Sequence, residues 1–312
     1  MQVVRGLDAL PLPDGPSVVT VGFFDGVHLG HREVLRRTVE TATAGGIRSV
    51  AITFDRHPRE VLTPADVPRL LTTVNRKASL IETTGIDALV VLEFTQEFSS
   101  VSAEDFVKRV LADGIHAVQA RMGANFTFGH KAAGNVERLS EMGAAYGLTA
   151  EGVGLMQLDG RTVSSSSIRE ALSQGDLGWP LAALGRRFVL DGEVVAGAGR
   201  GIGLGYPTAN LRTWPRLLLP GQGIYAGTAV LADGRRYPAA IDVGTNPTFG
   251  VEPLHVEAFL LDYEGGELRG GPLAVEFWAR LRDEVKFESV DELIRAIADD
   301  VERTREIVPA DT

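Results

Sequence analysis

Residues 21–31 read VGFFDGVHLGH, and this stretch decides how the first half of the chain folds. Immediately before it, Ser17–Val21 (SVVTV) is short, β-branched and apolar on both faces. That is the pattern of a strand in a parallel sheet covered by helices. Immediately after it, His31–Thr43 reads as a helix. Gly22, Gly26 and Gly30 let the backbone between them turn sharply and approach a ligand closely. The free amides and positive dipole end of the helix N-terminus then make an anion site. His28 and His31 are three apart and fall on the same side of the turn. As donors they can stabilise charge developing on phosphate oxygens. Zinc ligation would need a third ligand, and H-E-x-x-H is absent.

Working outward, Ser49–Phe54, Ala88–Phe94 and Ile115–Met122 have the same strand character. Arg76–Thr84, Ala103–Asp113 and Val136–Tyr146 carry helical spacing between and after them. Ser102 and Asp105 mark a helix start, and Phe106, Val107, Val110 and Leu111 form one apolar face. Strand–helix alternation implies right-handed βαβ units and a doubly wound parallel sheet. Ligands of such sheets sit at the carboxyl ends of strands, near a switch in strand order.

The character changes near Gly178–Arg187. Phe188–Val195, Gly223–Leu231, Arg236–Val243, His255–Asp262 and Leu273–Leu281 are short strands separated by Gly-, Pro- and Asp-rich turns. Such spacing argues an antiparallel barrel or sandwich. Ser289 and Glu292 form a capping box ahead of Leu293, Ile294, Ile297 and Val301, so a helix closes the chain. The boundary falls near residue 182, giving an α/β domain over 1–182 and a β-rich domain over 183–312.

Composition sets limits. With 312 residues, 44% hydrophobic and 23% charged, the chain is long enough for about two globular domains. It has no cysteine, which excludes disulfides, iron–sulfur clusters, thiolate zinc sites and a Cys nucleophile. Its net charge of −10 makes it a poor general nucleic-acid binder. No apolar run approaches the roughly 20 residues of a membrane helix, and the N-terminus lacks a signal-peptide core. A cytoplasmic protein without membrane or nucleic-acid partners is expected.

Two further segments bear on chemistry. In VSSSSIR (Val163–Arg169), hydroxyls including Ser164, Ser165 and Ser166 precede a helical run. Serines there either cap amides or donate to phosphate, and Arg169 can add a charge-assisted contact. In GAGRGIGLGYPTAN (Gly197–Asn210), glycine occupies every second position from Gly197 to Gly205. The spacing is neither a P-loop nor G-x-G-x-x-G, and by itself it reads as a flexible loop of the barrel.

Taken together, GFFDGVHLGH, TFDRHP (Thr53–Pro58), GANFTFG (Gly123–Gly129) and VSSSSIR resemble the adenylyltransferase module of the bacterial bifunctional riboflavin kinase/FMN adenylyltransferases. These enzymes are also called FAD synthetases, and the module is a distant relative of the H-x-G-H nucleotidyltransferases. PTAN (Pro207–Asn210), GIYAG (Gly223–Gly227), VGTNPTFG (Val243–Gly250), VEAFLLD (Val256–Asp262) and LRDEVKF (Leu281–Phe287) resemble the kinase module of the same family. The resemblance spans nearly the whole chain. It implies a nucleotidyltransferase-like doubly wound sheet followed by a riboflavin kinase barrel with a C-terminal helix.

The resemblance also implies two reactions: phosphorylation of riboflavin to FMN in the second module, and joining of FMN to AMP, giving FAD and pyrophosphate, in the first. ATP is the co-substrate of both and Mg²⁺ the metal. His28 and His31 take catalytic roles by this resemblance. Gly22, Phe23, Asp25, Gly26, Gly30, Asn125, Arg161, Ser164, Ser165, Ser166 and Arg169 fall to ATP or its phosphates. In the second module Glu257 becomes the catalytic base, and Thr208 and Asn210 hold magnesium with hard oxygens. Gly199, Gly201, Gly203, Gly205, Asn246, Arg282 and Phe287 fall to nucleotide or flavin. A phosphate nucleophile is already ionised at neutral pH, so the first module needs no general base. Asp25 is thus better placed to hold its loop or orient nucleotide than to remove a proton. Phe126 and Phe128 read as core. Without the resemblance, a glutamate on the apolar strand VEAFLL reads as outward and solvated.

Three positions depart from the family pattern. Arg56 stands where Pro is common, Ser166 where Thr is usual with the hydroxyl retained, and Arg269 where Tyr is common. The last puts in doubt any local contact that Tyr supplies. A different H-x-G-H adenylyltransferase, acting on pantetheine phosphate or nicotinamide mononucleotide, is disfavoured by the PTAN-bearing β-rich domain.

Overall fold

The computed structural model describes residues 1–197, 199–245 and 254–309. The chain forms two compact units. One comprises Met1–Arg69 and Val74–Ser165, the other Leu70–Thr73 and Ser166–Thr312.

The first unit is built on a six-stranded, wholly parallel sheet. Its strands are β1 (Gln2–Arg5), β2 (Ser17–Val21), β3 (Arg48–Phe54), β4 (Ala88–Leu92), β5 (Ala117–Gly123) and β6 (Thr149–Val153), in spatial order β1-β4-β3-β2-β5-β6. Strand order therefore reverses between β2 and β5, the expected doubly wound arrangement. β2 and β4 are buried at every position, which is why their sequences show no polar alternation. Successive residues feed opposite cores. Val19, Val21, Val50, Ile52 and Val90 pack with Val107, Val110, Leu111 and Leu139 on one face. Ala51, Leu89 and Val91 pack with Leu35 and Ile81 on the other.

The expected central strands are present. β1 and β6 were not legible, for one reason: both are sheet edges, and their residues are mostly exposed, without a continuous apolar run. The Ala103–Asp113 helix is also refined. Ser102 caps it, its Oγ accepting from the Asp105 N–H at 2.9 Å, but Phe106–Ala112 is wound as a π-helix. Phe126 and Phe128 belong to the core, as read.

The second unit centres on a closed antiparallel barrel. Still within the first unit, after β6, Gln157–Leu158 (β7) and Arg161–Thr162 (β8) form a small hairpin. The barrel strands are β9 (Val189–Val195), β10 (Thr208–Thr213), β11 (Gly223–Leu231), β12 (Arg236–Gly244), β13 (His255–Leu260) and β14 (Pro272–Arg282), in order β10-β13-β12-β11-β14-β9. Ala239, Ile241 and Val243 of β12 face Leu260, Ala258 and Val256 of β13, and all six are buried. The closing helix spans Val290–Ile307. Its capping hydroxyl, Ser289 Oγ, accepts the Glu292 N–H at 3.2 Å, and Glu292 accepts the Glu288 N–H at 3.2 Å.

Two expectations about the glycine-rich stretch are corrected. Thr208–Asn210 is not loop but the start of β10, and Arg200–Leu204 forms a short helix. Strand character was hidden because β10 alternates half-buried and buried residues under a run of small side chains.

Ile52 is fully buried between β2 and β4. Ile52→Ala should cost about 2–5 kcal/mol in chemical denaturation of the first unit. Leu181→Ala, at an exposed position, should change stability by less than about 0.5 kcal/mol.

Candidate active sites

The first site lies where β2 ends. Gly22 N–H still donates to Ile52 O at 3.0 Å, then the chain leaves the sheet. A Cβ on Gly22 would lie 2.8 Å from the Phe24 ring, so only glycine fits. Phe24, Gly26 and Val27 adopt left-handed conformations, with φ of 53°, 76° and 40°. For the β-branched Val27 this is strained, a cost of about 1–3 kcal/mol that surrounding contacts must offset.

The turn ends on His28, which is not merely near the helix but caps it. Its Nδ1 accepts the His31 N–H at 3.3 Å, and the helix runs Leu29–Gly45. An accepting Nδ1 leaves the neutral ring's proton on Nε2, so His28 faces its surroundings as a donor. The two imidazoles stack with centroids 3.6 Å apart, and the Phe24 ring meets His31 edge-on at 5.3 Å. Asp25 and His28 are buried.

Of the other expected residues, Ser165 has a hydrogen bond to the loop. Ser165 Oγ donates to Asp25 O at 3.0 Å, which joins the serine segment, including Ser164, to the loop. Asn125 is exposed just beyond the end of β5, the strand beside β2. Phe126 N–H closes a turn onto Gly123 O around it. Arg161 starts β8 after the Asp159-Gly160 turn, whose φ values of 49° and 76° are those of a tight hairpin. Ser166 and Arg169 follow on the helix Ser165–Ser173, which packs in the second unit. From TFDRHP, Thr53 Oγ1 donates to Phe23 O at 3.0 Å, and His57 meets the Phe23 ring edge-on at 4.8 Å. Neither Thr53 nor His57 was singled out; their motif was visible but their contact with the loop was not.

The second site lies on the outer face of the barrel. Asn210 pairs with Glu257 across β10 and β13, and Glu257 pairs with Asp242 across β13 and β12. Directly opposed residues share a face, so these three form a row, with Thr208 two residues before Asn210 on the same face. Thr208 Oγ1 donates to Glu257 Oε2 at 2.7 Å, and His255 Nε2 lies 3.3 Å from Glu257 Oε1. Glu257 thus points away from the barrel interior yet is not solvated, its side chain being only 20% exposed. The closing helix explains this: Leu293 and Ile297 wall the same pocket, together with Arg282 and Phe287.

Arg282 is held by the buried Asp300 of that helix, Nη2 to Oδ2 at 2.7 Å and Nε to both oxygens at 3.1 Å. Its guanidinium stands 5.6 Å from the Phe287 ring centre. Gly199 and Gly201 also line the pocket. Gly199 and Gly205 have φ of 70° and 85°, and a Cβ on Gly201 would meet Tyr206 O at 2.2 Å. Gly203 has neither constraint. Gly197 is required as well: its Cβ would overlap the Asn210 amide. Asn246 lies outside the described residues.

Asp242 was missed. Its Oδ1 is buried and accepts no hydrogen bond among the described residues. Burial, then the charges of Glu284 and Glu257, push its carboxyl up to about 7. Among the described residues no cluster of three His, Asp or Glu is arranged to hold a metal ion, and no helix is long and apolar enough to cross a membrane.

Both halves of the chain match families of known proteins. Residues 12–167 match the family model described as FAD synthetase, and residues 184–308 the model described as riboflavin kinase. A protein of Pseudomonas fluorescens named bifunctional riboflavin kinase/FMN adenylyltransferase is 37% identical, over 98% of this chain and 97% of its own. One of the same name from Haemophilus influenzae is 32% identical, over 98% of each. A crystal structure titled as a macrolide-efflux protein from Streptococcus pneumoniae superposes with a TM-score of 0.85 at 28% identity, covering 98% of this chain and 99% of that one. The chain belongs to the bifunctional riboflavin kinase/FMN adenylyltransferase family, its FAD synthetase domain preceding its riboflavin kinase domain.

The raised Asp242 carboxyl has a consequence for stability. Its folded pKa of about 7 exceeds the ordinary 3.8, so folding disfavours the ionised form. Below pH 4 the group is protonated folded and unfolded, and costs nothing. The cost grows between pH 4 and 7 and is complete above 7. Asp242→Asn should therefore stabilise the protein at pH 8, on the order of a few kcal/mol, with the gain vanishing near pH 4 in denaturant titrations.

Proposed function

We propose that the chain makes FMN from riboflavin and ATP in its barrel domain, and FAD from FMN and ATP in its α/β domain. We assign the second reaction to residues 1–182 and the first to 183–312. The observation that carries the reading is that each compact unit has its own cluster of these residues: the helix-capping His28 stacked on His31 in one, and the Thr208–Glu257–Asn210 row in the other.

In the barrel, Glu257 accepts the proton of the riboflavin 5′-hydroxyl as that oxygen attacks the γ-phosphorus. The bond from the γ-phosphorus to the β–γ bridging oxygen breaks and ADP leaves. The hydrogen bond from Thr208 aims the carboxylate. Arg282, steadied by Asp300, and the neighbouring Phe287 hold flavin or nucleotide, and Asn246 and the glycines Gly199, Gly201, Gly203 and Gly205 are assigned to the same ligands. The donor chemistry fits Mg²⁺: Thr208 and Asn210 offer two hard oxygens on one face, and Mg²⁺ ordinarily takes its remaining ligands from phosphates and water. When bound it neutralises phosphate charge.

In the α/β domain, an FMN phosphate oxygen attacks the α-phosphorus of ATP. The bond to the α–β bridging oxygen breaks and pyrophosphate leaves. No base is needed, so the work is positioning and charge stabilisation. His28 through Nε2, His31 and the amides opening the helix Leu29–Gly45 meet the phosphates. Gly22, Phe23, Gly26 and Gly30 give the backbone its close approach, and Asp25 holds the loop. Asn125, Arg161, Ser164, Ser165, Ser166 and Arg169 bind the nucleotide. ATP and flavins as the only partners suit a cytoplasmic enzyme, and the net charge of −10 weighs against nucleic acid.

Chromatography of products from riboflavin, ATP and Mg²⁺ should reveal both FMN and FAD. Glu257→Gln or Asn210→Ala should lower FMN formation by about 100-fold or more while sparing FAD formation from supplied FMN. His28→Ala with His31→Ala should do the reverse. Loss of both activities from either set, in folded protein, would refute the partition.

A further inference from the structure

Where the loop of the first site leaves β2, the sheet ladder ends. The carbonyls of Phe23 and of Phe54, the last residue of β3, then need donors from elsewhere. One side chain serves both. Lys77 Nζ donates to Phe23 O at 2.9 Å and to Phe54 O at 3.1 Å, and lies 4.2 Å from the Phe23 ring centre. Phe23 O accepts Thr53 Oγ1 as well. Lys77 comes from the helix Val74–Glu82, on the stripe that also carries Val74, Ala78 and Ile81. It is 2% exposed.

We infer that Lys77 is a positioning residue for the adenylyl transfer, pinning the Phe23 carbonyl so that the loop Gly22–His28 keeps the shape that receives the ATP phosphates. This rests on the assignment of FAD formation to that loop. The peptide bond is planar and trans, so drawing the Phe23 C=O toward Lys77 and Thr53 turns the Phe24 N–H the opposite way. Phe24, Gly26 and Val27 follow in left-handed conformations, which a loop retains only when its neighbours over-determine it. A neutral unbranched chain such as methionine, one atom shorter, keeps most of the packing at position 77 and abandons both carbonyls. The ammonium persists at neutral pH. Burial lowers its pKa to about 8, against which the charges of Asp25 and Asp55 work.

The test is steady-state kinetics of FMN-to-FAD conversion by the full chain, with riboflavin phosphorylation read in parallel. Lys77→Met should lower kcat for FAD formation by about 30-fold or more, within the range that misplacement of reacting groups produces. KM for ATP and FMN should stay within about threefold, and riboflavin phosphorylation should be unchanged. In Lys77→Ala, n-propylammonium matches the atoms removed beyond Cβ. It should restore kcat about tenfold, where tetramethylammonium, a cation without N–H donors, restores none. A kcat within about threefold of the parent in Lys77→Met would overturn the inference. So would a loss that no amine repairs in a Lys77→Ala protein whose circular dichroism is that of the folded parent. Should neither Lys77 variant fold, Thr53→Val removes the second donor to the same carbonyl; it should lower kcat about three- to tenfold, and an unchanged kcat would overturn the inference. A parent protein that makes FMN but no FAD would instead refute the assignment of adenylylation, and this inference with it.

Discussion

The hydrogen bond from the His31 N–H to His28 Nδ1 is the contact on which the first site depends. It does two things at once. It caps the helix Leu29–Gly45, a role usually given to Ser, Thr, Asp or Asn. It also settles the tautomer of His28, leaving Nε2 to donate. The stacked His31 ring and the glycine at position 30, whose Cβ would sit 3.2 Å from the His28 ring, leave that imidazole little freedom. The site thus stores its rigidity in local backbone geometry, and the strained Phe24 and Val27 are part of the same construction.

The barrel site is organised differently. No single loop makes it. Asn210, Glu257 and Asp242 meet because β10, β13 and β12 are neighbours in register, and the closing helix then covers them. Bringing carboxylates together under cover raises the cost of ionising them. The structure meets that cost with Thr208 on Glu257 and with Thr245 N–H on Glu284 at 2.9 Å. Of these three carboxylates, Asp242 is left with a buried oxygen that has no hydrogen-bond partner among the described residues. The strained Phe24 and Val27 lie in the loop of the first site and the unsatisfied Asp242 in the row of the second, where function can compete with stability.

Much of the architecture was legible because its determinants are local. The all-apolar β2 and β4, the caps at Ser102 and Ser289, and the short strands after Phe188 each announce themselves within ten residues. The edge strands β1 and β6 did not, since an edge need bury little. Lys77 could have been suspected: a lysine on the stripe Val74, Ala78, Ile81 either snorkels or is held by buried acceptors. Which of these occurs depends on Phe23 and Phe54, respectively 54 and 23 residues away.

The sequence by itself determined the two-part fold class and the glycine-rich turn between β2 and its helix, because strand period, helix capping and glycine placement are short-range properties. Tertiary structure alone decided that Glu257 points outward yet is shielded, that Asp242 is kept close to protonation, and that Lys77 holds the loop. Each of those depends on the low dielectric and fixed neighbours that exist only once distant strands and helices have packed.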